Sequence, residues 1–375
     1  MACLLCAHET EEVAGFPALM RVTSDSRIWP AGGRLAICPQ CHAVQKPVDS
    51  AFQQEAKDIY ASYQLYFQSG GSEQKIFTER GARPRSELLL DHLLSLPLPE
   101  HCAALDVGCG AGNLLQALSR RRPGWALYGA DIGDQRREQI LAIHGVKHFF
   151  SGDISAIEGR FDIIFLSHVL EHVPSPVAFL RQLAMLLNPG GMLAVLVPHW
   201  RENAFDLLVA DHCMHFTVPS LHRLLNECGF SILSGGSGLC PKELWAFASL
   251  RREEKSPVAI GENNVKAEVD KAIAWLAQAR DWAMKCRPHT PLGIFGTAIA
   301  ATWLTRAAGL APNFFVDEDK DRQGLAYLGR PVLAPAAVLP ESTVLVPLPP
   351  GIAENVADRL NRPFGKPVFL VPPAL

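Results

Sequence analysis

The sequence predicts an α/β protein with two parallel sheets, and three observations support this fold class. Apolar runs of strand length alternate with helical stretches from Ala103 to about Val197, a pattern that gives a parallel sheet with helices on both faces. The same alternation starts again at Pro291. The chain has 375 residues, of which 48% are hydrophobic, so it is long enough and apolar enough for two or three domains.

Two cysteine pairs mark the start of the chain. Both have C-x-x-C spacing and 31 residues separate them; the four residues are Cys3, Cys6, Cys38 and Cys41. Four thiolates at such spacing suit a tetrahedral Zn²⁺ ion, and a hairpin can fill the interval. His8 and His42 lie beside the pairs as spare ligands. We therefore expect a structural zinc site, with a redox-active pair and four unrelated thiols as the alternatives.

Tyrosines recur in the segment that follows. Tyr60, Tyr63 and Tyr66 stand at every third position, which places them on one side of a helix. This stripe is either a packed helix face or an aromatic wall over a ligand. A second helix is expected from Ser86 until the prolines that begin at Pro97.

The regular alternation defines two α/β units. The strands predicted in the first are Ala103–Val107, Ala126–Ala130, Phe161–Leu166 and Met192–Val197, and its helices are Asn113–Arg121, Gln135–His144, Pro176–Leu187 and Ser220–Cys228. The strands predicted in the second are Leu292–Phe295, Asn313–Val316, Thr343–Val346 and Val368–Val371, with helix Ile299–Ala308. A charged linker and an amphipathic helix from Val265 separate the units. The predicted division is a zinc module at 1–55, a helical connector at 56–100, an α/β core at 101–251, a helical linker at 252–290 and a C-terminal α/β domain at 291–375.

A glycine-rich loop joins the first predicted strand to its helix. Gly108, Gly110 and Gly112 allow the backbone to approach a ligand closely, and Asp131 ends the next strand, where a carboxylate can accept both ribose hydroxyls. Asp106 stands two residues before the glycines. Its charge would repel a pyrophosphate but can hold a cationic amino acid group. These residues therefore favour S-adenosylmethionine (SAM), which carries a sulfonium and an ammonium, over NAD.

These motifs resemble the class I SAM-dependent methyltransferases, which have a Rossmann-like core. The resemblance runs from Ala103 to about Val197 and includes Gly152–Ile154, Ser167–Val173 and Asn188–Gly191. It implies that Asp106, Gly108 and Gly110 line the methionine part of SAM, that Asp131 binds the ribose and that Asp153 and Ile154 contact the adenine. Gly112, Ile132 and Ser167 complete the predicted set of cofactor-binding residues.

Residues His168–His172 also spell H-x-x-E-H, a zinc-peptidase pattern. That pattern requires a long helix, whereas this segment follows a strand of the nucleotide-binding sheet and meets Pro174 two residues later. We therefore reject the peptidase interpretation. As the loop after the fourth strand of a methyltransferase, the segment would lie beside the reactive methyl group. His172 is then a candidate active-site residue, unless it only orders the loop.

Polar residues are dense in the segment Asp211–Thr217, which follows a strand on the edge of the sheet where ligands bind. Histidine has an ordinary pKa near 6.5, so His212 can act as a base, with Asp211 orienting it or contacting the substrate. Two alternatives remain. Asp211, His212 and His215 could bind a metal ion, or the segment could only cap a helix and pack.

The order of the three parts resembles the three-domain sugar C-methyltransferases, which methylate a nucleotide-linked 4-keto-deoxysugar beside the ketone. That family commonly has Tyr-His-Glu-His where this chain has Val209–His212. The base is kept, the glutamate is shortened and the tyrosine is absent. We therefore predict methyl transfer to a sugar, on carbon by resemblance and on oxygen or nitrogen as the alternative. His172 and Tyr66 would position the acceptor.

The third domain would hold the nucleotide or carrier end of that substrate. Its Gly296 turn and Asp317 resemble a degenerate dinucleotide fingerprint, since Ala298 stands where a second glycine is usual. An NAD site in that domain is the alternative.

Charge and hydropathy limit the remaining functions. The net charge of −3 argues against nucleic-acid and membrane partners, and no apolar run approaches the roughly 18–20 residues of a membrane helix. An RNA methyltransferase that uses the zinc module as a grip stays an alternative because of the basic segments Arg83–Arg85 and Arg120–Arg122. A non-catalytic scaffold is another. We expect a cytoplasmic protein with reduced cysteines; the sequence leaves its oligomeric state open.

Overall fold

Three sheets of four or more strands organise the chain. The structure is a computed structural model, which describes residues 1–63, 73–78, 81–250, 264–286, 290–361 and 368–374. Within these residues, no helix is both long and apolar enough to cross a membrane.

The N-terminal part consists of short strands and a helix that begins at an aspartate cap. The strands are β1 (Glu11–Glu12), β2 (Arg21–Val22), β3 (Ile28–Trp29), β4 (Ala36–Ile37) and β5 (Val44–Gln45). Strands β2 and β3 form the expected hairpin between the two cysteine pairs. Helix α1 (Ser50–Tyr60) begins where the Asp49 carboxylate accepts the Phe52 N–H. The connector then forms a hairpin, β6 (Lys75–Thr78) and β7 (Gly81–Pro84), and helix α2 (Arg85–Leu93).

The central sheet contains seven strands in the order β10-β9-β8-β11-β12-β15-β14. Its elements are β8 (Ala103–Val107), α3 (Asn113–Arg121), β9 (Ala126–Asp131), α4 (Arg137–Leu141), β10 (Val146–Ser151), β11 (Phe161–Ser167), α5 (Pro176–Leu186), β12 (Leu187–Pro198), β13 (Met214–His215), α6 (Val218–Glu227), β14 (Phe230–Ser237) and β15 (Glu243–Leu250). Strand β15 is antiparallel to both neighbours, and the other strands are parallel. The prediction of a parallel sheet is therefore confirmed for the four predicted strands, and the reversed strand β15 was not predicted.

Most predicted elements agree with the structure to within a few residues, and two helices differ in their bounds. The helix predicted at Gln135–His144 spans only Arg137–Leu141. The helix predicted from Ser220 starts at Val218, because Thr217 caps it and Ser220 returns a hydrogen bond to the Thr217 N–H. Strand β10 was not predicted.

The C-terminal part repeats the α/β pattern with a six-stranded sheet in the order β18-β19-β17-β16-β20-β21. Its elements are α7 (Val265–Lys285), β16 (Leu292–Phe295), α8 (Ile299–Ala307), β17 (Phe314–Val316), β18 (Ala326–Tyr327), β19 (Arg330–Leu333), β20 (Thr343–Leu345), α9 (Pro350–Asn361) and β21 (Val368–Leu370). Only β18, paired with β19, runs antiparallel in this sheet. The predicted apolar face of α7 is buried, including Val269 and Leu276.

The N-terminal part packs against both larger sheets. Cys3 and Cys41 belong to one apolar cluster with Leu180 and Met214 of the central part. Strand β13 follows β12 along the chain but is not part of the central sheet; it completes the N-terminal sheet, whose order is β1-β4-β5-β13. Because β13 belongs to the predicted acceptor segment, the N-terminal part directly builds one wall of the candidate site.

Candidate active site

The glycine loop lies at the carboxyl end of β8, as predicted. The N–H groups of Gly108 and Cys109 both donate to the Ala130 carbonyl, at 2.8 and 3.0 Å, which folds the loop back onto the end of β9. Gly108 has φ +73°, and a Cβ atom there would lie 2.3 Å from Val169 Cγ2. Both conditions require glycine at this position.

Three carboxylates lie around this loop. Asp131 Oδ2 accepts the Gly110 N–H at 2.9 Å. Burial, together with the charges of Asp131 and Glu73, raises the pKa of Asp106 well above its usual range. Glu73, which the sequence analysis missed, accepts the N–H and hydroxyl of Ser86, both at 2.7 Å. Within the described residues no cation forms an ion pair with Asp106, so a cationic ligand would stabilise this cluster. The donor set therefore fits SAM.

The remaining predicted cofactor residues divide into two groups. Four of them line the same cavity as Asp106: Ile132, Asp153, Ile154 and Ser167. Ile132 is 83% exposed. Gly112 instead begins α3 with φ +78°, and a Cβ atom there would lie 2.6 Å from Ile140 Cδ1. Gly112 itself does not line the cavity, although its neighbours Ala111 and Asn113 do, and its packing against α4 explains the glycine.

The cavity has a volume of about 1570 Å³ and extends from the glycine loop past His212 to Gly296. Sites for one small molecule usually have volumes of about 300–1,000 Å³. The cavity is therefore large enough for a cofactor and a second ligand side by side.

His212 lies on the cavity wall with one ring nitrogen already bonded. Its Nδ1 is 2.8 Å from Asp206 Oδ1, and Asp206 Oδ2 is 2.7 Å from His215 Nδ1. Asp206 lies in a 3₁₀ helix, Ala204–Leu208, that the sequence analysis missed. Although burial opposes ionisation, the two imidazoles hold the pKa of Asp206 well below its usual range. Since the carboxylate accepts the Nδ1 proton, the Nε2 atom of a neutral His212 ring is a free base.

Asp211 does not orient His212, and this part of the prediction is wrong. Its carboxylate accepts the N–H of Ser24 at 2.9 Å and the Ser24 hydroxyl, and lies 3.4 Å from His172 Nδ1. Ser24 is 187 residues from Asp211 along the chain. Hydrophobic periodicity describes only local structure, so it could not identify Ser24 as the partner of Asp211. Burial disfavours the charged ring, but the Asp211 carboxylate raises the pKa of His172 to about 9. His172 therefore carries a positive charge at neutral pH.

The predicted tyrosine stripe is only partly present. Tyr66 lies outside the described residues. Helix α1 ends at Tyr60, so Tyr63 follows the helix and lies with its ring centroid 5.5 Å from that of Tyr60. The Tyr60 hydroxyl is 3.0 Å from His172 Nδ1, so Tyr60 lies beside one of the two residues predicted to position the acceptor.

The H-x-x-E-H segment does not form a peptidase helix. Only Leu170–His172 is helical, as one 3₁₀ turn, and His168 has φ +56°. His168 lies between Glu171 and Glu243, 3.2 Å from each, whereas His172 faces Asp211. The two histidines therefore have different partners, and rejection of the peptidase interpretation is confirmed.

A metal ion at the acceptor segment is also disfavoured. The predicted trio of Asp211, His212 and His215 does not converge, because Asp206 stands in place of Asp211. Asp206 already accepts the N–H of both imidazoles, and the buried Lys46, whose pKa is lowered by burial to about 7, donates to the nearby Val209 carbonyl. The arrangement suits acid–base chemistry.

The four N-terminal cysteines converge as predicted. Their sulfur atoms lie within 4.8 Å of one another, with Cys3 Sγ and Cys41 Sγ 3.5 Å apart and Cys6 Sγ and Cys38 Sγ 3.5 Å apart. A tetrahedron with Zn–S bonds of about 2.3 Å has sulfur separations of about 3.8 Å. The backbone N–H groups of Leu5 and Cys41 point at two of these sulfurs, as in thiolate metal sites. The set fits Zn²⁺.

The C-terminal part reaches the cavity through the turn after β16. Gly296 and the first turn of α8 line its far end. Asp317 Oδ2 accepts the Thr297 hydroxyl at 2.7 Å and its Oδ1 accepts the Asp319 N–H at 2.9 Å. Asp317 is buried and committed to these groups, which disfavours a ribose contact and with it the NAD alternative.

The central sheet and its helices have the Rossmann-like α/β fold of class I methyltransferases. Residues 80–234 match the family model described as "Methyltransferase domain". This segment is a SAM-dependent methyltransferase domain, and the predicted fold class is confirmed.

Curated relatives are also methyltransferases. The ubiquinone biosynthesis O-methyltransferase of Parvibaculum lavamentivorans is 30% identical over 128 residues, covering 32% of this chain and 49% of the relative. The trans-aconitate 2-methyltransferase of Rhodopseudomonas palustris is 28% identical over 151 residues, covering 40% and 56%. The chain thus spans about half the length of the curated relatives it matches. Among solved structures, the chain resembles the CurJ carbon methyltransferase with 20% identity and a TM-score of 0.35, covering 44% of this chain and 52% of that chain.

Proposed function

We propose that this chain is a SAM-dependent methyltransferase that acts on a nucleotide-linked sugar, at the carbon beside a keto group. One observation carries the proposal: a single cavity joins the carboxylate-rich glycine loop to His212, whose free Nε2 is backed by Asp206. Bound SAM would supply an electrophilic methyl group on its sulfonium. Around it, Asp106 would hold the ammonium, Asp131 the ribose hydroxyls, and Asp153 with Ile154 the adenine.

Carbon methylation requires a base for the α-proton and a donor for the enolate oxygen. His212 Nε2 would take the proton, and the Asp206 carboxylate would stabilise the imidazolium that results. The tyrosine that the sugar C-methyltransferases carry is absent at Val209, but the charged His172 ring and the Tyr60 hydroxyl together offer positive charge and a donor near the same place. This arrangement supports carbon as the methylated atom.

The far end of the cavity supports an anionic carrier. Lys242 lies on its wall with φ +68°, a strained conformation for lysine, and forms no ion pair within the described residues. Arg322 also lines this end, but its guanidinium pairs with Asp317 at 3.4 Å and with Asp319 at 3.7 Å. The cavity thus has a carboxylate cluster where SAM would bind, and at the opposite end it offers one lysine, Lys242, that forms no ion pair within the described residues. A nucleotide diphosphate matches this polarity.

We propose further that the four cysteines hold a structural Zn²⁺ ion and that the chain has the three-part organisation predicted, with a zinc module at 1–55, a SAM-binding core at 101–251 and a C-terminal domain at 291–375. The convergence of the four sulfur atoms supports the metal, and the two separate larger sheets support the division.

Oxygen methylation is the second candidate, because the relative from Parvibaculum lavamentivorans is named an O-methyltransferase and the His212–Asp206 pair could equally deprotonate a hydroxyl. An RNA substrate is disfavoured, since the local basic segments are neutralised. Arg83 pairs with Asp91 at 2.6 Å, and Arg120 and Arg121 pair with Glu87 at 2.9 and 3.0 Å.

The proposal is tested with methyl-labelled SAM and a panel of nucleotide sugars, keto and non-keto, with the product located by NMR. We expect label on the carbon beside the ketone and loss of deuterium from that carbon. Label on oxygen would establish the second candidate, and no transfer to any sugar would refute the proposal. The His212→Asn variant should lose turnover while its SAM affinity, measured by calorimetry, stays near that of the wild type.

A further inference from the structure

The turn between β2 and β3 joins the N-terminal part to the acceptor segment. Its Ser24 binds the Asp211 carboxylate twice: the Ser24 N–H donates to Oδ1 at 2.9 Å, and the Ser24 hydroxyl donates to Oδ2. Just before the turn, the Val22 carbonyl accepts the Ala210 N–H at 2.6 Å. This turn therefore holds the acceptor segment by its backbone and by its carboxylate.

Asp211 needs these partners because its carboxylate is buried. The residue is 2% exposed, and a buried carboxylate is costly unless its oxygens accept hydrogen bonds. Although burial opposes ionisation, the His172 imidazole and the Ser24 hydroxyl hold the pKa of Asp211 well below its usual range. The carboxylate is therefore ionised, and two hydrogen bonds from one residue fix both its position and its plane.

The fixed carboxylate in turn orients His172. Asp211 Oδ2, which accepts the Ser24 hydroxyl, lies 3.4 Å from His172 Nδ1, and the Asp211 carbonyl oxygen lies 3.1 Å from the same nitrogen. The Tyr60 hydroxyl is 3.0 Å from that nitrogen as well. A continuous chain of polar contacts therefore leads from Ser24 to the imidazole and the hydroxyl that are proposed to stabilise the enolate oxygen.

The turn is also anchored on two other parts of the molecule. Arg27 Nη2 donates to the Ile59 carbonyl in the last turn of α1 at 2.8 Å. The Ser26 carbonyl accepts the Thr302 hydroxyl of α8 at 3.0 Å. Because the turn is bound to α1 and to the C-terminal part, Ser24 has a fixed place beside the cavity, which it lines.

We propose that Ser24 is a positioning residue for methyl transfer: it holds the Asp211 carboxylate in the orientation that fixes the His172 ring beside the acceptor. This inference rests on the proposed function, in which His172 helps to position the acceptor and stabilise the enolate. It assigns the N-terminal part a role in the reaction beyond holding a metal ion. The role requires a hydroxyl at position 24, which threonine also supplies and alanine does not.

The test uses the full chain with Ser24→Ala, which removes the hydroxyl and keeps the N–H, and Ser24→Thr, which keeps both. Ser95→Ala is the matched control, because the exposed Ser95 hydroxyl donates to the His92 carbonyl at 2.7 Å. The surroundings of the His172 ring are followed by NMR of histidine-labelled protein at a fixed pH, with its signal assigned by its loss in His172→Gln. This measurement requires neither acceptor nor turnover, so it separates failure of this inference from failure of the proposed function.

We expect the His172 signal to move in Ser24→Ala and to keep its wild-type position in Ser24→Thr and Ser95→Ala. The kcat of Ser24→Ala should be about tenfold lower, the effect of one lost hydrogen bond to a charged group, with unchanged SAM affinity in calorimetry. Ser24→Thr should keep most of the wild-type kcat. An unmoved signal or an unchanged kcat in Ser24→Ala would refute the inference.

A double-mutant cycle shows whether Ser24 acts through Asp211. Asp211→Asn should lower kcat, and adding Ser24→Ala to it should cause no further loss; two losses that multiply would overturn the inference. If Ser24→Ala does not fold, Ser24→Cys takes its place, since a thiol is only a weak donor. A moved His172 signal in that variant supports the inference, and a wild-type signal refutes it.

Discussion

At the scale of single residues, the candidate site depends on which carboxylate each histidine faces. Asp206 faces His212 and His215, and Asp211 faces His172. The sequence analysis instead paired Asp211 with His212, because these two residues are adjacent along the chain. Adjacent residues in a turn point in different directions, so adjacency did not predict contact.

The raised pKa of His172 predicts how activity and stability depend on pH. The ring is charged below a pKa of about 9, so its contribution to folding is complete below the ordinary histidine pKa near 6.5 and is lost as the pH rises through about 9. We expect kcat/KM and the midpoint of thermal unfolding both to fall across that range. In His172→Gln the unfolding midpoint should lose most of this dependence; an unchanged profile would contradict the assignment.

A second prediction concerns the glycine loop. Gly108→Ala should weaken SAM binding at least tenfold, because the new Cβ would lie 2.3 Å from Val169 and φ is +73°. Gly238→Ala is the matched control, since Gly238 has φ +92° and nothing within 4 Å of a Cβ. It should cost about 1 kcal/mol of stability with unchanged SAM affinity in calorimetry. If the two variants bind SAM with equal affinity, the close packing of Val169 on Gly108 is not needed for SAM binding.

At the scale of secondary-structure elements, local patterns predicted well and long-range pairings did not. Strand β8 and helix α3 have the predicted bounds, because apolar periodicity and the glycine loop are local signals. Strand β13 has two residues and exists only through pairing with β5, about 170 positions earlier in the chain. The reversed strand β15 likewise depends on its neighbours β12 and β14. Asp206 and Lys46 were missed for the same reason, since neither belongs to a motif.

The pairing of β5 with β13 predicts the effect of removing the proposed Zn²⁺ ion. Cys41 precedes β5 by only a short turn, so loss of Zn²⁺ from the cysteines should disorder β5 and, through it, the loop of His212. Treatment with a chelator, or the Cys38→Ser substitution, should release Zn²⁺ and lower kcat/KM for the acceptor more than tenfold. SAM affinity should change little, because the glycine loop lies elsewhere. Cys286→Ser, outside the cluster, should keep both metal and activity; parallel loss of SAM binding would contradict this coupling.

At the scale of the whole molecule, the position of Lys242 at one end of the cavity predicts where an anionic carrier would bind. Lys242→Met should raise the KM for a nucleotide sugar about tenfold, which corresponds to about 1.4 kcal/mol, and leave SAM affinity unchanged. The same variant should respond less to added salt than the wild type does, since a screened contact has been removed. Lys271→Met, which removes an exposed lysine on α7, serves as the control. A Lys242 variant with an unaltered KM would place the carrier in another part of the cavity.

The shared sheet β1-β4-β5-β13 also bears on how such a protein can be divided or recombined. A fragment that begins after α1 would keep the SAM pocket but leave β13 without a partner and an unpaired strand edge open to aggregation. Grafting the first fifty residues from a distant homologue would face the same difficulty unless residues 209–215 were exchanged with them. These two stretches, remote in the gene, should therefore be inherited and engineered as one unit.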